Sequence, residues 1–168
     1  MTRNYSEIAH GYVEELRARG REIDAKRHVP QDIADRLAAE GFYRICTPVG
    51  LGGMGADPQT LAEVCEILAS GNASVAWCVF IGATSQYMFP AASPKLISEL
   101  IENPNVITSG VFAYSGTATR PSSRSEGWIV NGHWEWGSGC RNATWISGGV
   151  ILCDRDGSPI LDNRQRPT

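Results

Sequence analysis

The sequence has no CxxC pair, no run of basic residues and no apolar leader, and each absence removes a class of function. Its five cysteines (Cys46, Cys65, Cys78, Cys140, Cys153) and three histidines lie too far apart for the spacing of a metal site. An odd number of cysteines behind a polar start, Met1-Thr-Arg-Asn-Tyr-Ser-Glu, predicts reduced, mostly buried thiols and a cytoplasmic protein. The 15 basic residues are outnumbered by 18 acidic ones, for a net charge of −3. None of the basic residues cluster, which argues against nucleic acid as a partner. The most apolar run, Val75–Phe89, is too short and too interrupted by Gly82, Ser85 and Gln86 to span a bilayer, so no membrane partner is expected.

What is present is the composition of a soluble globular protein, 42% apolar and 20% charged over 168 residues. That length holds one domain, or one domain and part of a second. Tyr5, Ile8, Ala9, Tyr12, Val13 and Leu16 recur at helical spacing and predict a first amphipathic helix over residues 4–20. Pro30 fits the first position of a second helix that buries Ile33, Ala34 and Leu37 and stops at Gly41. Asp57 reads as an N-cap with Pro58 at the first helical position, Leu61, Val64, Cys65 and Leu68 as the buried stripe, and Gly71 as the end. Asn72 or Ser74 starts a helix apolar nearly all round, expected at the centre of its bundle. Ser93-Pro94 opens a short helix that Asn103-Pro104 closes.

From Asn105 the pattern becomes β. Val106–Phe112 reads as a strand, Ser115-Gly116 as a turn, Trp128–Trp136 and Trp145–Cys153 as strands, and Asp154–Gly157 as a hairpin turn before a last strand near Pro159-Ile-Leu. The fold class expected is α+β, an all-α domain over 1–104 followed by a partial antiparallel β domain over 105–168. So few strands with an open edge make a poor free-standing domain, so more chain is expected after Thr168.

The densest stretch is Trp128–Gly149, which holds four of the five tryptophans. Alternation puts Trp128, Val130, Gly132, Trp134 and Trp136 on one strand face until Gly137-Ser138-Gly139 breaks the pattern. Two readings stand. A flat aromatic ligand rests beside Trp136 while Ser138 offers its hydroxyl, or the tryptophans are β core and the glycines make turns. Cys140 follows the glycine break as a candidate nucleophile, but no partner base is evident. His28 reads as a surface or capping residue and His133 as solvent-facing, with no Asp and Ser beside them for a triad. Gly50-Leu-Gly52-Gly-Met-Gly55 has the letters of a dinucleotide motif without the strand before it or the helix within it, and reads as a flexible loop between helices. Arg120-Pro-Ser-Ser-Arg-Ser-Glu126 reads as a polar turn.

Several motifs in order carry a likeness to a known family. They are Gly41-Phe42, Gly52-Gly53-Met-Gly55, Ser74-Val-Ala-Trp77, Ser109-Gly110-Val-Phe112, Ser115-Gly116-Thr-Ala118, Gly132-His-Trp-Glu-Trp-Gly-Ser138-Gly139 and Ala143-Thr-Trp-Ile146. Together they resemble the acyl-CoA dehydrogenase superfamily over nearly the whole chain. Within it they look like the flavin-dependent monooxygenase branch, the oxygenase components of two-component aromatic hydroxylases. Trp134-x-Trp136-Gly-Ser138-Gly looks like that branch's flavin strand, and the Thr-Glu-Pro signature of the dehydrogenases is replaced by Ala113-Tyr114-Ser115. Two positions depart from the branch. Thr84-Ser85-Gln86 stands where relatives often carry a substrate-side His, and Tyr114 where they tend to have Pro.

The resemblance implies a helical N-terminal domain, a middle β domain and a C-terminal four-helix bundle, of which this chain lacks the bundle. It also implies a flavin cofactor (reduced FAD or FMN), a separate flavin reductase, a small-molecule aromatic or polycyclic substrate, and a homo-oligomer where the fold is completed. By motif match, Phe112, Ala113, Ser115 and Gly116, with Trp136, Gly137 and Ser138, line the flavin. Ser138 takes the place of the Ser or Thr whose hydroxyl reaches the N5 edge. No catalytic residue is assigned. An acyl-CoA dehydrogenase oxidising a thioester and a non-catalytic paralogue or subunit remain the alternatives.

Overall fold

The computed structural model describes residues 4–86, 92–121 and 127–168. The end of the Val75–Phe89 run and most of the polar turn at 120–126 lie outside the described residues. Two compact units emerge, Met1–Ser109 with Ser138–Ile146, and Gly110–Gly137 with Ser147–Thr168.

In the first unit side-chain caps fix the starts of several helices. Asn4 Oδ1 accepts the Glu7 amide at 3.1 Å and opens α1 (Tyr5–His10). The single helix expected over 4–20 is divided, for α2 (Val13–Ala18) and α3 (Gly20–Lys26) follow as separate pieces. The amides of Gly11 and Tyr12 turn to Ile8 and Ala9, tightening the backbone where glycine's poor helix propensity weakens it. The apolar stripe survives the break, with Ala9, Tyr12, Val13 and Leu16 all buried. Pro30 stands one place earlier than expected, as the cap of α4 (Gln31–Ala39), because its ψ of 136° is extended. Gly41, at φ 82°, ends that segment in a left-handed conformation.

Asp57 caps α5 (Pro58–Gly71) by accepting the Thr60 amide at 2.8 Å, as the sequence predicts. Asn72 Oδ1 accepts both the Ser74 and Val75 amides to start α6 (Ala73–Ser85), and Ser93 Oγ accepts the Leu96 amide to start α7 (Pro94–Glu102). Leu61, Val64 and Leu68 of α5 join Val75, Val79 and Ala83 of α6 in one buried cluster with Leu16, Ile33, Leu37 and Phe42. Each such large side chain stabilises the fold by about 1.5–3 kcal/mol when fully buried. α6 is not enclosed all round as expected. Trp77 is 53% exposed and stacks on the half-exposed Phe80, with ring centroids 5.6 Å apart.

The glycine-rich loop at 50–55 is tied down. The amides of Met54, Gly55 and Ala56 donate to the carbonyls of Arg44, Thr47 and Ile45, and Gly53 lies so close to the Thr47 backbone that no side chain fits. Among the described residues no strand precedes it, which removes the dinucleotide reading.

The strands are β1 (Thr108–Thr119), β2 (Ile129–Gly132) and β3 (Trp145–Cys153), in the order β2-β1-β3. β1 is longer than expected, and Ser115-Gly116 lies inside it rather than at a turn, with Gly116 opposite Gly132 of β2. The antiparallel pairing expected holds between β1 and β2. β3 runs alongside β1 in the same direction, with Gly110 beside Ser147 and the Phe112 and Ala113 carbonyls beside Gly149, so the sheet is mixed. Parallel neighbours need a long connection, and residues 120–144, β2 included, supply it. The strand expected over 128–136 stops at Gly132, and Trp136 is in the left-handed region at φ 64°. β3 has the bounds expected, and the turn at Asp154–Gly157 closes with Gly157 at φ 87°. Bridges Cys153↔Pro159 and Leu161↔Pro167 take the place of the last strand expected.

In this unit the Trp134 indole donates to the Gly149 carbonyl at 2.8 Å and lies across Gly116, Gly132 and Gly148, at each of which a Cβ would collide with the ring.

Candidate functional site

In the second unit, Gly110, Val111, Ala113 and Ser115 of β1 meet His133, Glu135 and Trp136 around an open concavity of about 360 Å³. The β1 residues there are small, which leaves backbone accessible to a flat ligand. Trp136 is 90% exposed despite its left-handed backbone, a combination that neither packing nor backbone preference supports. His133 Nε2 and Glu135 Oε1 are 3.8 Å apart at the rim, both exposed, so His133 faces solvent as the alternation predicts.

Of the residues matched to flavin contacts, Ala113, Ser115 and Trp136 are thus brought together. Phe112 is 58% exposed, on the opposite strand face from Ala113 and Ser115. Gly116 lies beneath the Trp134 indole, across from Gly132, and does not line the concavity. Gly137 follows Trp136, half-buried, and is also outside the lining.

Ser138 belongs to the first unit. There the Trp77 indole donates to Ser138 Oγ at 2.9 Å, and Ser109 Oγ donates to the Ser138 carbonyl at 2.7 Å. Because the indole N–H takes an acceptor position of the hydroxyl, the hydroxyl proton is left for another acceptor. The turn carrying Ser138 is anchored further on by the buried Asn142, whose Nδ2 donates to the Val29 carbonyl at 2.9 Å and to Gln31 Oε1 at 3.0 Å. Trp77, Ser109 and Asn142 position Ser138, and the reading of the sequence assigned none of them a role. Trp77 and Ser109 lie in motifs that carry the family likeness, but a contact across 61 positions leaves no trace in spacing.

Gln86, the last residue of the Thr84-Ser85-Gln86 stretch in which the family resemblance leads one to expect a His, is buried and accepts from Thr47 Oγ1 at 2.6 Å. Nearby, burial holds the phenol of Tyr43 well above the usual tyrosine range. Cys140 is exposed, whereas Cys46 and Cys153 are buried and all five thiols are free.

This chain is 30% identical to indole-3-acetate monooxygenase from Pseudomonas putida, over 86% of its own length and 36% of the relative's. It is also 30% identical to the oxygenase subunit HsaA, a flavin-dependent monooxygenase from Rhodococcus jostii, over 86% of this chain and 37% of that one. The crystal structure of the HsaA monooxygenase from M. tuberculosis superposes with a TM-score of 0.82 at 26% identity, covering 94% of this chain and 40% of that one. The chain therefore spans a little over a third of the length of these curated relatives. Residues 5–93, more than half of the sequence, match the family described as acyl-CoA dehydrogenase, N-terminal domain, and the chain belongs to the acyl-CoA dehydrogenase family.

Proposed function

We propose that this chain carries part of the flavin site of a reduced-flavin-dependent monooxygenase, the oxygenase component that hydroxylates an aromatic or polycyclic small molecule. The observation that carries this reading is its 30% identity, across 86% of the chain, to two relatives that are both monooxygenases, one of them a flavin-dependent oxygenase subunit. Reduced flavin, when bound, supplies the electrons that activate dioxygen. The flavin contacts are assigned within each unit. In the second, Ala113 and Ser115 of β1 offer backbone and small side chains and Trp136 an exposed indole for stacking, while the motif match assigns Phe112, Gly116 and Gly137 to the flavin from outside that concavity. In the first, Ser138, held in place by Trp77 and Ser109, offers the flavin a hydroxyl with one acceptor position and its proton still available for a hydrogen bond. Reducing equivalents come from a separate flavin reductase, as befits an oxygenase component, and the assembled enzyme is a cytoplasmic homo-oligomer using FAD or FMN. Among the described residues no helix is long and apolar enough to cross a membrane.

The test is anaerobic titration of the chain with reduced and oxidised FAD and FMN, followed by flavin fluorescence. Preferential binding of a reduced flavin, weakened about tenfold or more by Ser138→Ala, supports the assignment. Absence of binding, or equal binding by the variant, overturns it. An acyl-CoA thioester that bleaches the bound oxidised flavin would instead assign the chain to thioester dehydrogenation, the chemistry that the family's description names.

A further inference from the structure

α6 presents Trp77 and Cys78 in succession, and the turn at 138–142 presents Ser138, Gly139 and Cys140 in succession. The Trp77–Ser138 hydrogen bond joins the two runs at the first step. At the second, Gly139 lies against Cys78. A Cβ on this glycine would stand 3.8 Å from Cys78 Cβ and 3.9 Å from its sulfur. Cys140 is the next residue, and its thiol is exposed.

We propose that Cys78 and Cys140 form a peroxide-responsive thiol pair that closes to a disulfide between α6 and the turn carrying Ser138. The oxidant is hydrogen peroxide. The Cys140 thiolate attacks one peroxide oxygen, the O–O bond breaks, and the other oxygen leaves as water after protonation, giving a sulfenic acid. The Cys78 thiolate then attacks that sulfur, the S–S bond forms, and the sulfenic oxygen leaves as a second water. Two electrons pass from the two sulfurs to one peroxide.

Exposure sets the order of events. Cys140 meets peroxide first, while Cys78 is half-buried and its thiol is held above the usual range by burial and by the neighbouring Cys140. The Gly139 backbone N–H, directed at the Cys78 sulfur, opposes that shift in part. A disulfide needs Cα atoms about 4.4–6.8 Å apart, and Cys140 stands one Cα step of about 3.8 Å beyond the residue that lies against Cys78, so closure asks the turn to bring Cys140 toward the place Gly139 holds. Gly139, at φ 77°, is the pivot that lets it do so. The interior thiols differ. Cys46 and Cys153 are buried, and burial pushes the Cys65 thiol up to about 11, so none of the three is reached first. The inference stands independently of the flavin reading.

The experiment treats the full chain with a small excess of hydrogen peroxide, blocks remaining thiols with an alkylating agent, and reads intact mass and cysteine-containing peptides. The expected result is a loss of about 2 Da, a fall by two in the five alkylatable thiols, a Cys78–Cys140 cross-linked peptide, and reversal by dithiothreitol. Cys140→Ser, on an exposed turn, and Cys78→Ser should each abolish the mass loss, whereas Cys153→Ser should leave it. Retention of all five thiols, oxygen addition at Cys140 without cross-linking, or a disulfide to any other cysteine would overturn the pair.

Discussion

Trp136 carries two costs at once, a bulky side chain at φ 64° and an indole left almost entirely in solvent. A non-glycine residue held in this region costs about 1–3 kcal/mol, and such strain gathers at functional sites. Trp136→Gly therefore removes strain while losing little burial. Its thermal midpoint should rise by a few degrees, about 1 kcal/mol of relief for a chain of this size, while its affinity for reduced flavin falls. A calorimetric scan and the flavin titration, run on the same preparation, check both halves. A lower midpoint would mean that the indole packs in a way its exposure does not show. The sequence placed Trp136 beside a candidate ligand but on a continuous strand face, because alternation records which way residues point and carries no sign of where a partner strand ends. Ser138 was legible as a hydroxyl after a glycine break. That a tryptophan 61 positions away would hold it was not, since such a contact exists only once the chain has folded.

Element starts were written plainly in the sequence, for Asp57, Asn72 and Ser93 each cap the helix that follows with a side-chain oxygen. Caps are local chemistry and need no tertiary context. The division of the first helix at Gly11-Tyr12 was hidden, because its buried stripe runs through the break without losing period. α2, α3 and α4 are also joined by charge. Arg19 meets Glu15, Glu22 and Asp32, and Arg36 crosses to Glu15 at 2.6 Å while its guanidinium lies over the Tyr12 ring. Arg19, then Lys26, hold the Glu22 carboxyl down to about 2, and Arg19 holds Asp32 down to about 2. Both values lie below the roughly 4 of a free carboxylate, so the folded state binds these protons less readily than the unfolded chain. Their stabilisation is complete above about pH 4 to 5 and is lost as pH falls through about 2. Thermal midpoints measured from pH 6 to pH 2 should fall across that window, and Arg19→Met should flatten the fall. The effect is small, a few degrees at most, because exposed ion pairs are screened by water.

Across the whole molecule, apolar burial is unevenly shared. The main core cluster belongs to the first unit, while among the described residues of the second only Ala118 and Cys153 are buried apolar ones. Opening free energies follow buried contacts. Amides of β2 at residues 129–132 should exchange with deuterium at least about a hundredfold faster than those of α5 near Leu68, and comparable protection would mean that the second unit is held by contacts other than its own core. The change from helical to alternating pattern was legible; the mixed order of the sheet was not, because the sequence marks strands without marking their neighbours. Within that thinly cored unit the Trp134 indole governs which changes the gene can tolerate. At Gly148 the three atoms nearest to an added side chain all belong to the ring, so a smaller residue at 134 would relieve the collision that bars alanine there, and the harm of one mutation would depend on whether the other came first. Gly116 and Gly132 also meet facing backbone, so no change at 134 frees them. One ring thus divides three glycines into one whose collision a second mutation can relieve and two that facing backbone keeps closed whatever stands at 134.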